Sequence, residues 1–265
     1  MEQPANLEIA PPEEKKQVWG PWATAGFGAL VLVVSFFVQS IVALGFLLAQ
    51  AASGTDVLSG AMGYNDLANA FSEIIGGNEG LVFSLAAIIS GIVCLGLIVL
   101  IIKVRRGLSV PEYLALRPMS LKITLISIGV LVAFYFASGL VNVVSGIAED
   151  SEFVMQVYET STSPLLLGMA VVVVAPLFEE SLVRGMLFEG FRRSRLGVVG
   201  AVIITAAVWA LLHVQYGWYQ IGIIFFLGIV LGVVRYKTGT LWSTIFMHAL
   251  FNLVAVVAVA VLSSS

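Results

Sequence analysis

Charge is scarce in this chain. Only 11% of its 265 residues are Asp, Glu, Lys or Arg, whereas a soluble domain carries about a quarter. Hydrophobic residues make up 59%, and the mean hydropathy is +1.02. One water-solvated core cannot absorb that much apolar surface. An ordinary soluble domain is therefore excluded, and the bilayer must be the solvent for most of the sequence. Cysteine is nearly absent. Cys94 stands alone in an apolar run, which rules out a disulfide framework and leaves a small hydrophobe facing lipid or core. There is no basic excess either, and the net charge of −3 offers nucleic acid no electrostatic footprint. Internal repeats and low-complexity segments are missing, and no stretch has the composition of a soluble domain.

What remains is a series of long apolar runs. A hydrocarbon core of about 30 Å needs roughly 20 apolar residues of helix. Seven runs qualify, near residues 24–50, 80–102, 121–146, 164–190, 197–214, 217–234 and 240–262. They predict an all-α fold, a polytopic transmembrane helix bundle of about seven spans. The basic residues orient it. Lys15 and Lys16 precede the first span. Lys103, Arg105, Arg106, Arg117 and Lys122 lie between the second and third, Arg192, Arg193 and Arg195 between the fourth and fifth, and Arg235 and Lys237 between the sixth and seventh. Twelve of the thirteen basic residues thus share one side, and the charged residues of the alternate loops, 51–79 and 147–163, are all acidic. The positive-inside rule makes the basic side cytoplasmic, with the N-terminus inside and the C-terminus outside. Residues 1–20 then read as a disordered cytoplasmic tail rather than a signal peptide. The Gly-rich, acidic outer loop 51–79 is not expected to fold as a module. Loop 103–122 is expected at the cytoplasmic interface, attracted to anionic lipids.

Charged groups at membrane depth are costly and point to function. The fourth span holds Glu179, Glu180 and Arg184, the thirteenth basic residue. Glu180 and Arg184 stand at i,i+4 and can pair on one face. Glu179 is rotated about 100° from Glu180 and has no such partner on its own helix, which leaves it available as a general base. Pro176 frees a backbone carbonyl one turn earlier and permits a kink toward a polar cavity. Both histidines of the chain lie in apolar spans, His213 in the fifth and His248 in the seventh, with Asn252 one turn beyond His248 on the same face. A carboxylate, two imidazoles and an amide facing one another can activate water and hold an oxyanion. Each feature taken singly also has a plainer reading, as an ion pair joining helices or a buried hydrogen-bonding histidine. Depth poses one difficulty: at about 1.5 Å per residue His213 lies about 27 Å from Arg195, deeper than the others unless its helix tilts or begins along the interface. Gly228 and Gly232 form a Gly-x-x-x-Gly pair, expected to bring spans five and seven together. Asn142 and Gln39 are expected to make interhelical hydrogen bonds, and Glu189 to be solvated.

The order of these elements resembles the CPBP family of intramembrane peptidases, which includes the CAAX prenyl endopeptidases of the Rce1 kind and Abi relatives. Its Glu-Glu-x-x-x-Arg motif is matched by Glu179, Glu180 and Arg184. Its Phe-x-x-x-His motif is matched by His213, with Trp209 at the aromatic position. Its His-x-x-x-Asn motif is matched by His248 and Asn252. The stretch Tyr236 to Trp242 looks like the turn before the last motif. The likeness covers about residues 164–255, making 164–262 the catalytic core and 21–163 a region of N-terminal helices and loops.

The resemblance implies an endopeptidase in a prokaryotic cell membrane, acting on a membrane-embedded or lipidated peptide or protein. Glu179 with His213 would activate water, His248 and Asn252 would stabilise the oxyanion, and Glu180 with Arg184 would support Glu179. Trp209 would shape the local substrate wall. No cofactor is favoured. The alternative is a divalent metal such as zinc on Glu179, His213 and His248, although the His-Glu-x-x-His helix of zinc peptidases is missing. Membrane lipids are the other expected partners. Two rival classes stand beside this reading: a catalytically silent immunity or scaffold protein on the same fold, and an ion-coupled transporter, which would show inverted repeats.

Overall fold

The structure is a computed structural model, and it describes residues 18–52, 75, 77–105, 107–147 and 152–263. Nearly all of the predicted tail and most of the outer loop 51–79 lie outside these residues. The described chain is helical, with no strand. Helix α1 spans Pro21–Ala52, α2 Glu79–Val104, α3 Val110–Leu114, α4 Leu121–Ser145 and α5 Glu152–Glu159. Helix α6 runs over Pro164–Arg192, followed by α7 Gly197–Leu211, α8 Trp218–Thr238 and α9 Trp242–Leu262.

Six helices, α1, α2, α4, α6, α8 and α9, are long and apolar enough to cross a bilayer. The chain is a multi-pass membrane protein. The predicted fifth span is a correction: α7 has 15 residues, a length of about 22 Å, short of the hydrocarbon thickness. It still reverses the chain. Gly228 and Gly232 of α8 face Ala206 and Val202 of α7, so the two helices run antiparallel in close contact.

Interhelical contacts gather the basic residues at one end of the bundle. Trp19, just before α1, donates through Nε1 to the Ile101 carbonyl at 3.2 Å and through its backbone N–H to the Tyr113 hydroxyl at 3.3 Å. The loop after α3 is pinned to the α8–α9 turn. Leu241 N–H donates to the Ala115 carbonyl at 3.0 Å and the Thr240 hydroxyl to the Arg117 carbonyl at 2.6 Å. Gly239, at φ +68°, closes α8 in the left-handed conformation that only glycine adopts freely. Helix α3 was not foreseen, although Ser109 and Glu112 form a capping box around Pro111.

Helix α6 is the centre of this arrangement. It packs against α1, α2, α7, α8 and α9. Of its apolar window 44% is buried, against 11% for α1 and for α4, so the span that carries the Glu179, Glu180 and Arg184 charges is the most enclosed. Two inner polar positions differ from expectation. Gln39 donates to Ser35 on its own helix at 3.0 Å instead of across helices. Glu189 is 3% exposed, not solvated, because three arginines converge on it. Asn142 does bond across helices, accepting from the Tyr219 hydroxyl.

The glycine pair joins α8 to α7, rather than spans five and seven, and it also touches the charged helix. The Gly228 carbonyl accepts from Arg184 Nη2 at 3.1 Å. A Cβ at Gly228 would lie 2.9 Å from the Ala206 Cβ and 3.3 Å from Arg184 Nη2. Gly228→Ala is expected to lower stability by about 1–3 kcal/mol, the usual cost of overpacking, measured as a drop in thermal midpoint in detergent.

Candidate active site

The charged residues of α6 sit where the helix changes pitch. Residues Met169–Val174 and Ser181–Leu187 are π-helical, and a short α-helical stretch, Ala175–Glu180, separates them. Single π segments inside α-helices recur at functional sites. Pro176 explains the first. A π turn bonds each carbonyl to the N–H five residues on, and proline has none, so the Val171 carbonyl is left without its intrahelical donor. Asn252 of α9 supplies one, its Nδ2 lying 2.7 Å from that oxygen. The predicted kink is thus a local widening, and the amide of Asn252 holds it.

Glu180 and Arg184 are both fully buried and paired, Oε1 to Nη1, at 2.8 Å. The same Oε1 lies 3.1 Å from His248 Nδ1. Glu180 therefore orients His248 as well as balancing Arg184. Among the described residues, Glu180 Oε2 and Arg184 Nε are buried without a close hydrogen-bond partner, where buried polar atoms normally find one; the Thr244 side chain lies near the Glu180 carboxylate.

Glu179 points to a different helix. Its Oε2 accepts from the Trp209 indole Nε1–H at 2.6 Å. Trp209 is 2% exposed, and its ring is the hub of the site. The Arg184 guanidinium lies over it, 4.5 Å from the ring centroid. The imidazoles of His213 and His248 meet it edge-on, at centroid distances of 5.3 and 5.1 Å. His213 Nδ1 lies 2.8 Å from the Trp209 carbonyl. A carbonyl only accepts, so Nδ1 carries the proton and Nε2 of a neutral His213 is left as the acceptor.

The depth difficulty resolves on Trp209. From Arg195 to Trp209 is about 21 Å of helix, and from Arg192 to Glu179 about 20 Å. Trp209, not His213, is level with Glu179. His213 stands one turn farther on, past the end of α7, where its N–H bonds the Ala210 carbonyl at 3.0 Å.

Of the residues singled out in the sequence, Glu179, Glu180, Arg184, His213 and His248 are joined through Trp209 or to one another. Asn252 is on the same face of α9 as His248 but is turned to the α6 backbone. Glu179 and His213 share no hydrogen bond; the indole contacts each of them. The donor set considered for a divalent metal is Glu179, His213 and His248. Each presents an atom to a protein partner, and no three His, Cys, Asp or Glu side chains among the described residues gather as ligands.

Residues 161–254 match the family described as type II CAAX prenyl endopeptidase Rce1-like. This segment is similar to that family. It begins just before α6 and ends within α9, so it contains every residue of the network and none of α1 to α5. No curated protein sequence and no solved structure matches the chain.

The residue that sequence reasoning undervalued in the Rce1-like segment is Trp209. It departs from the phenylalanine of the motif, and that departure was the available signal, because an indole can donate a hydrogen bond and a phenyl ring cannot. Trp209→Phe keeps most of the packing and removes the bond to Glu179. Hydrogen bonds to charged groups contribute about 1.5–3 kcal/mol to stability, so the thermal midpoint in detergent is expected to fall by several degrees.

Proposed function

We propose that this protein is an intramembrane endopeptidase that hydrolyses a peptide bond of a membrane-embedded or lipidated substrate. The carrying observation is the placement of Glu179, tied to Trp209 beside two imidazoles and one guanidinium inside an Rce1-like segment. Glu179 acts as general base, taking a proton from the attacking water. His213, with Nε2 free to accept, receives that proton from Glu179 and delivers it to the leaving amine, which returns Glu179 to its ionised form. The oxyanion needs N–H donors. His248 supplies one from Nε2 when doubly protonated, its Nδ1–H held by Glu180. Asn252 supplies another from the second N–H of its amide, the first being bound to Val171. Arg184 holds Glu180 and the indole in place.

In this reading water is activated without a metal, and the site works in a prokaryotic cell membrane. Prenylated CAAX-type peptides are the first substrates to try, followed by an unbiased survey. The test compares peptides released in membranes holding wild-type protein or Glu179→Gln, with and without chelator. A peptidase loses specific products in the variant. A silent scaffold or a transporter releases none in either. Products that vanish only with chelator would overturn the metal-free chemistry and leave the peptidase.

A further inference from the structure

Outside the site, the strongest electrostatic anomaly is at the basic end of the bundle. Glu189, near the end of α6, is buried, and three arginines share its one carboxylate. Arg235 Nη2 lies 2.9 Å from Oε1, while Arg192 Nη2 and Arg193 Nε lie 2.8 and 3.5 Å from Oε2. Three guanidinium charges meet one carboxylate charge, a surplus of two. Arg117 also lies within electrostatic reach of Arg235, and Arg105 within reach of Tyr113. Tyr113 adds no negative charge, since burial pushes its phenol above the ordinary range.

Uncompensated positive charge in a partly buried setting is unfavourable unless an anion answers it. Arg235 is 3% exposed and its Nε has no hydrogen-bond partner among the described residues. Arg192 and Arg193, with side chains 30% and 47% exposed, open the cluster to the surface. The neighbouring surface pairs exposed apolar side chains, Leu196, Val199 and Tyr236, with two further exposed cations, Arg195 and Lys237. A ligand suited to this place carries a compact anion at one end and hydrocarbon at the other.

We propose that Arg192, Arg193 and Arg235, gathered on Glu189, form a binding site for the phosphate of an anionic phospholipid in the cytoplasmic leaflet. Guanidinium groups present paired donors that match phosphate oxygens. The acyl chains lie along the start of α7 and the end of α8. The site is independent of the hydrolytic reading, and its test needs no substrate.

The full chain is reconstituted in nanodiscs of phosphatidylcholine alone, of phosphatidylcholine with phosphatidylglycerol, and of phosphatidylcholine with added inorganic phosphate. Retained lipid is read by native mass spectrometry and stability by thermal midpoint. Phosphatidylglycerol is expected to be retained and to raise the midpoint, and inorganic phosphate to leave it unchanged. In R192Q/R193Q the retention falls about tenfold or more, as the loss of two near-surface basic contacts implies. In K103Q/K122Q, which removes two charges elsewhere on the same side, retention persists. If the first variant does not fold, R192K/R193K keeps the charge and removes the paired donors, and a fall in retention is again expected. Equal loss in K103Q/K122Q, unchanged retention in both arginine variants, no retention by wild-type protein, or an equal midpoint rise with inorganic phosphate would each overturn the proposal.

Discussion

Glu179→Gln leaves the protein folded and lowers peptide release by about 10²–10⁴-fold, the range attributed to a positioned general base. The fold persists because Glu179 is only partly buried and makes a single hydrogen bond, from the Trp209 indole. A glutamine oxygen still accepts that bond, although less strongly than a carboxylate, so the network around Trp209 keeps its geometry. What disappears is the charge that removes a proton from water. The informative comparison is therefore between an unchanged thermal midpoint and a collapsed product yield. Retention of full product release in a folded Glu179→Gln protein would remove the base from the mechanism.

Arg184→Leu has the opposite signature, losing the fold first. Glu180 and Arg184 are both 0% exposed. Removing one partner of a buried ion pair leaves an uncompensated charge and costs about 3–5 kcal/mol. Arg184 also donates to the Gly228 carbonyl and lies over the Trp209 ring, so α6, α7 and α8 lose a common tie. Unfolding in detergent is expected well below the wild-type temperature. The double variant Arg184→Leu with Glu180→Gln should recover most of that loss, since no charge is then stranded. It should not recover activity, because His248 loses the carboxylate that orients it. A single variant as stable as wild type would show that the buried pair contributes nothing to the fold.

Several features were readable from local pattern. The Glu180–Arg184 pair follows from its i,i+4 spacing alone, and six of the seven apolar runs are helices long enough to cross a bilayer. Other features were misread for a common reason. Glu189 stands at a helix end among arginines and looked solvated, yet its buried partner Arg235 is 46 residues away. The partner of Glu179 is Trp209, 30 residues on, and depth counted to His213 missed it by one helical turn. The first π segment of α6 follows from Pro176 only once Asn252 is known to satisfy the Val171 carbonyl.

Composition and one-turn spacing by themselves determined that this chain is a helical membrane protein with its basic loops on one side and an ion pair within α6. They could do so because apolar run length, loop charge and i,i+4 contact are all properties of neighbouring residues. Only the tertiary structure decided which group answers Glu179, which carboxylate orients His248, and that Glu189 is shared by three arginines. Those pairings depend on the register between helices, set by close packing at points such as Gly228 against Ala206. The Gly-x-x-x-Gly spacing marks a packing face on α8, but no pattern within one helix names the partner that packs there.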